Sequence, residues 1–240
     1  MLYIGIDDTD TIDSPGTNQL ARRIADRLPA GCHATLILRH QLLVDPRVPY
    51  TSQNGSASIA IECGRSYEHR ALLPMLRREL TTWLVPGSDP GLCVTERVPP
   101  DVIAFGTRCQ HELVPQADAR RIAAAAGIHL EGFGGTEDGV IGALAAVGLL
   151  AGGGDGRVIH RPGWSWPDGF AGPQPMAAIL ARGVDAVREL RSGAVVQAGT
   201  VDVGKRLRPA FREGEVVLLV EPDGGTPDGS EPRWYAVKLP

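Results

Sequence analysis

The chain has no apolar run approaching the roughly 18 residues that a membrane helix needs, so no membrane partner is expected. Cysteine is scarce. Cys32, Cys63, Cys93 and Cys109 are widely spaced, and no pair has the Cys-x-x-Cys spacing of a zinc ribbon. An excess of positive charge is also missing: 24 Lys and Arg stand against 28 Asp and Glu, for a net charge of −4 and a pI near 5.9. A global basic field for gripping nucleic acid is thereby excluded. No secretory signal is visible, because Asp7 and Asp8 interrupt the first apolar run. A cytoplasmic setting with reduced thiols follows as the expectation, each cysteine reading as a small core residue. Repeats and low-complexity tracts are absent. What remains is ordinary for a globular protein, 43% apolar and 22% charged, and 240 residues suffice for one large or two small domains.

The most informative stretch lies near the start. Leu2, Tyr3, Ile4 and Ile6 read as a buried strand, and Asp7, Asp8 and Asp10 follow with Thr9 among them. Crowded carboxylates resist joint ionisation, and a divalent cation removes the conflict. Mg²⁺ suits the set because it takes one or two carboxylates, keeps waters and shares substrate phosphate oxygens. The plainer reading is a polar turn that caps the next helix. Residues 13–18 form a turn into that helix, with Thr17 or Asn18 as cap and Leu20, Ile24 and Leu28 on one face. A helix start beside metal-binding acids suits a nucleotide phosphate.

Further along, residues 34–44 read as a strand carrying Arg39 and His40, with His40 either facing the acids or structurally satisfied. A polar loop with Thr51, Ser52, Gln53 and Asn54 opens into an alternating strand, 56–63. Residues 67–84 have amphipathic helical spacing and 92–98 read as a strand, which gives a split βαβ layout of ferredoxin type. A helix or turn from Pro99, an alanine-rich helix over 116–126 ended by Gly127, and a strand over 128–133 come next. Gly134-Gly135-Thr136-Glu137-Asp138-Gly139 is then a glycine-rich turn before an apolar helix, 140–151. It lacks the Gly-Lys-Ser/Thr end of a Walker loop and is no dinucleotide fingerprint. Its amides suit phosphate, while Glu137 and Asp138 add to a metal shell or complement the helix dipole. Glycines 152–154 and 156 mark a joint. Beyond it come a Pro-, Gly- and Trp-rich stretch with Trp164 and Trp166, a helix over 175–190, and β patterns over 194–203, 215–221 and 234–239 around a polar loop, 222–232.

Three of these stretches resemble one family. Ile6-Asp7-Asp8-Thr9-Asp10 with Thr17-x-x-Leu20-Ala21, then residues 49–57, then Gly134 to Ala146, are similar in order and spacing to the archaeal synthetase family that attaches agmatine to the wobble cytidine of isoleucine tRNA, TiaS. The resemblance covers about residues 1–150. It implies a catalytic domain that hydrolyses ATP and activates a cytidine oxygen, with a threonine matching Thr17 becoming phosphorylated. It also implies a C-terminal OB-fold and zinc ribbon, but this chain has no zinc cysteines and little room for both. Where the family's loop carries Lys and Arg, this chain has Thr51, Ser52 and Gln53, leaving Arg47 as the nearest cation.

The expectation is therefore an α/β (α+β) protein with ferredoxin-like and kinase-like parts over 1–155 and a linker, helix and β-rich module over 156–240. ATP and Mg²⁺ are the expected cofactors. Asp7, Asp8, Asp10 and Thr17 are the catalytic candidates, the three aspartates the metal ligands, and Gly134, Gly135, Thr136, Gly139 and Asn54 the phosphate or nucleotide contacts. The substrate is a nucleotide, tRNA or small molecule. The alternatives are a non-catalytic nucleotide-binding protein and a metal-dependent phosphohydrolase, which activates water with the same acids.

Overall fold

A computed structural model describes residues 1–11, 14–48, 53–64, 69–164, 170–224 and 233–238. The chain divides into two compact units, Met1–Gly152 and Gly153–Pro240. The protein is of mixed α/β class.

The first unit opens with β1 (Leu2–Asp7), α1 (Thr17–Asp26), β2 (Cys32–Gln41), β3 (Gly55–Cys63), α2 (Leu73–Trp83) and β4 (Gly91–Thr95). Strand order β4-β1-β3-β2, with every neighbour antiparallel, is the split βαβ arrangement of a ferredoxin-like sheet. α2 is shorter than its periodicity suggests. A 3-10 turn, His69–Leu72, leads into it, because Pro74 lacks an amide and fits only the first helical turn. Then follow α3 (Pro100–His111), α4 (Gln116–Ala126), β5 (His129–Gly132) and α5 (Gly139–Gly152). Gly127, at φ 64°, ends α4, and β5 extends the sheet antiparallel to β4.

α5 is apolar all round and buried along its length, as a helix enclosed on all sides must be. It lies between the sheet and α3 and α4, in a core with Phe105, Val102, Ala119 and Ala123. Strand alternation fixes what it meets on β1. Leu2, Ile4 and Ile6 are fully buried on the opposite face, whereas Tyr3, Gly5 and Asp7 face α5. Gly5 permits the close approach: a Cβ there would stand 1.9 Å from the Ala143 carbonyl oxygen.

Two cysteines depart from the reduced state expected of them. Cys32 and Cys63 are opposite one another in the β2–β3 register and form a disulfide, while Cys93 and Cys109 are buried and free. Spacing in sequence carries no information on strand register, so the pair was not readable.

The second unit holds β6 (Arg157–His160), β7 (Pro173–Pro175), α6 (Met176–Leu180), β8 (Ala186–Glu189), β9 (Thr200–Asp202), β10 (Ala210–Arg212), β11 (Glu215–Pro222) and β12 (Arg233–Ala236). β11 is central, antiparallel to β10 and β12 and parallel to β8. The helix expected over 175–190 is only α6. Gly183, at φ 86°, breaks it, and Val187 is buried on β8 opposite Leu218 instead. Trp164 packs on this unit's core; Trp166 and most of the 222–232 loop lie outside the described residues. Among the described residues, no helix is long and apolar enough to cross a membrane.

Candidate functional site

β1 ends at the mouth of a cleft of about 790 Å³, a volume suited to a nucleotide-sized ligand. Asp7, Asp8 and Asp10 line it, as do Asn54, Gly135, Thr136, Asp138 and Gly139. The acid stretch and the glycine-rich turn thus open on one cavity, although they stand far apart in the chain. Gly134 and Glu137 do not line it, and Glu137 turns away to pair with Arg120. The loop residues Pro49–Ser52 singled out in the sequence fall outside the described set.

Asp7 is packed against α5, where its Oδ2 would be 1.8 Å from a Cβ at Gly142. Burial, then the neighbouring Asp8 and Asp10, raise its carboxyl to about 8, despite a hydrogen bond from the Asp8 backbone. Asp8 has φ 48°, the left-handed region that aspartate tolerates better than most residues and that recurs at functional sites. Burial and the charges of Asp89, Asp10 and Asp138 lift its carboxyl to about 6, against a hydrogen bond from the Asp89 backbone. Among the described residues, no three His, Cys, Asp or Glu side chains converge as a metal-holding group. The set still fits a hard cation that takes one or two carboxylates and completes its shell with water and phosphate oxygens. Its carboxyls are raised by burial first and by their crowding second.

Thr17 opens α1 but does not cap it. Gly16 is the N-cap, and no side chain caps the helix. Thr17 is only 5% exposed, and its hydroxyl donates to Asp10 Oδ1 at 2.9 Å and accepts from the Thr9 hydroxyl at 3.0 Å. Thr17 itself does not line the cleft; Asp10 connects it to the cavity. Asn18 caps nothing either, and its buried Oδ1 has no partner. Asn54 donates from its side chain to the Leu43 carbonyl at 2.8 Å, holding the loop end of the β2–β3 hairpin. His40 is fully buried with Nε2 2.8 Å from the Ser58 hydroxyl. Arg108 pairs with Glu112 and Asp118.

The glycine-rich turn holds an unforeseen occupant. Asp89 accepts hydrogen bonds from the amides of Thr136 (3.0 Å), Glu137 (2.7 Å) and Asp138 (3.3 Å), and from the Thr136 hydroxyl. Its carboxylate sits where a phosphate was expected, and Gly135, at φ 59°, leaves it room. Asp89 stands in a Ser-Asp-Pro-Gly run whose only sequence signal is a loop, so nothing marked it. Gln116 braces the same turn through the Thr136 carbonyl at 2.7 Å. The cleft is acidic overall: Glu112, Asp89 and Asp138 add to the first three acids. Arg47 is the one cation among its described lining residues, and it is paired with Asp45 at 2.7 Å.

No protein-family model and no curated protein matches the chain. Its fold does match solved structures of enzymes that act on tRNA. One is a tRNA fluorescent labelling enzyme, 22% identical, with a TM-score of 0.54 over 61% of this chain and 35% of that one. Another is apo TiaS, an agmatidine synthetase of an isoleucine tRNA, 21% identical, with a TM-score of 0.53 over 61% and 35%. A third is TiaS bound to that tRNA and ATP, 22% identical, with a TM-score of 0.53 over 61% and 36%. The chain resembles a part of TiaS and spans about a third of the length of these structures. The likeness is one of fold.

Proposed function

We propose that the first unit is an ATP- and Mg²⁺-dependent phosphoryl-transfer domain, kinase- or synthetase-like, related to the enzymes of tRNA wobble-cytidine agmatinylation. The observation that carries this reading is the cleft itself, where Asp7 and Asp8 close β1 opposite the start of α5. The fold likeness to TiaS, one of whose structures holds ATP and tRNA, supports it. Asp7 and Asp8 would hold the cation, which supplies charge neutralisation of the phosphates. Catalysis of this kind is mainly positioning and electrostatics, and the acids would serve both through the cation they hold. Thr17 is the candidate acceptor: its hydroxyl already donates to Asp10, the geometry of a nucleophile beside a base. In that step the Thr17 oxygen bonds the γ-phosphorus, its proton passes to Asp10, and ADP leaves. The substrate that follows is a nucleotide, a tRNA or a small molecule.

Calorimetry with ATP, with and without Mg²⁺, and product analysis test the reading. Asp7→Asn is expected to weaken Mg-ATP binding by at least about tenfold while leaving metal-free ATP binding little changed. Equal Mg-ATP affinity in wild type and variant would count against it. Incubation with γ-labelled ATP is expected to label the Thr17 peptide in wild type and not in Thr17→Ala.

Asp89 favours a second reading, a nucleotide-binding protein without turnover. Its carboxylate fills the amides that a transferring phosphate would use. Tight Mg-ATP binding without ADP formation would select it.

A further inference from the structure

Arg39 is a buried cation that makes no direct ion pair among the described residues. The residue is 7% exposed. Its Nη2 donates to Gln41 Oε1 at 3.1 Å and Gln53 Oε1 at 3.0 Å, both neutral acceptors, and its Nη1 is buried with no acceptor among the described residues. A buried guanidinium donor without a partner is costly and rarely kept for stability alone. Its position indicates what it serves. Arg39 and Ile6 both pair with Ala57, so they share one row of the sheet, on the face away from α5. α1 packs against β1, β2 and β3 on that face. Its start follows the carboxyl end of β1, the same end of the parallel-running β2 that carries Arg39. Asp10, bonded to the first residue of α1, is the charge that acts on the guanidinium; burial pulls Arg39 below its usual pKa and Asp10 pulls it back. With no side-chain cap on α1, no acceptor is bonded to the amides of Thr17 and Asn18 among the described residues.

Two other places suited to a phosphate are taken. The turn before α5 holds Asp89, and Arg47 is held by Asp45. Gln53 both lines the cleft and holds Arg39, so one side chain separates the guanidinium from the cavity.

We propose that Arg39 is the cationic element of an anion subsite at the start of α1, where its Nη1 and the first amides of the helix take an oxygen of a bound nucleotide's phosphate. The proposal rests on the nucleotide reading given above. A planar guanidinium beside a helix N-terminus is suited to phosphate oxygens.

The full chain with Arg39→Met separates this role from a structural one. Met keeps the volume and removes the unpaired donor. The subsite predicts an apo Tm equal to or above that of wild type, and at least about a tenfold loss of Mg-ATP affinity. Inorganic phosphate should raise the Tm of wild type and not of the variant. A lower Tm with unchanged Mg-ATP affinity, or a variant that fails to fold, would overturn the proposal. Gln53→Ala gives a second measurement, since it frees one N–H of Nη2 while Gln41 keeps the other: phosphate affinity should rise several-fold, and no change counts against the subsite. If Mg-ATP binds wild type and Arg39→Met equally, the subsite falls and the nucleotide reading stands. If Mg-ATP fails to bind wild type while phosphate binds in an Arg39-dependent way, the nucleotide reading falls and the subsite stands.

Discussion

Asp7 holds its proton near neutral pH when no cation is present, because burial and its neighbours raise it from 3.8 to about 8. Below pH 3.8 the folded and unfolded chains both carry that proton. Above it the unfolded chain releases the proton first, so the stabilisation is lost as pH climbs towards 8, at no more than about 1.4 kcal/mol per pH unit. Asp8, raised to about 6, acts in the same direction over a narrower window. Glu79 works oppositely. Burial raises its carboxyl, but hydrogen bonds from Arg23 and Arg27 outweigh burial and hold it below 4.5, so its contribution is lost as pH falls. Urea midpoints in EDTA between pH 5 and 8 should therefore decline for wild type, and decline less for Asp7→Asn. A parallel decline in both would place the titration elsewhere.

At the scale of elements, α5 controls the floor of the cleft. In an exposed helix Gly→Ala gains up to about 1 kcal/mol. Gly142→Ala is expected to do the reverse and cost about 1–3 kcal/mol, since its Cβ would meet Asp7 Oδ2 at 1.8 Å. Combining it with Asp7→Ala should recover most of that loss, and simple additivity in urea denaturation would show that the two residues do not touch. The helices and strands of the first unit were legible because their apolar periodicity is strong, from Leu20 and Ile24 on α1 to the alternation of β3. The helix over 175–190 was misread because Ile179, Val184 and Val187 recur at near-helical spacing while lying on a short helix, a turn and a strand. At the site, the acids of β1 were conspicuous in the sequence. Asp89, Arg39 and Gly142 were not, because each takes its meaning from a partner distant in the chain.

Over the whole molecule, every described residue lining the cleft lies between Asp7 and Gly142, within the first unit. Residues 1–152 expressed alone are accordingly expected to bind Mg-ATP within about threefold of the full chain, and a larger loss would assign the second unit a part in the site. tRNA is a different matter. With a net charge of −4, the full chain should bind it weakly and with steep salt dependence, which a filter-binding series across salt concentrations would show.

The bridge between Cys32 and Cys63 has a topological consequence. It closes the chain into a ring that contains Arg39, Gln53 and Asn54. A protease that cuts once anywhere from 33 to 62 opens the ring without dividing the molecule. Such a nicked protein should run as one band on a non-reducing gel and as two after reduction, and until then both sides of the nick stay tethered beside the cleft.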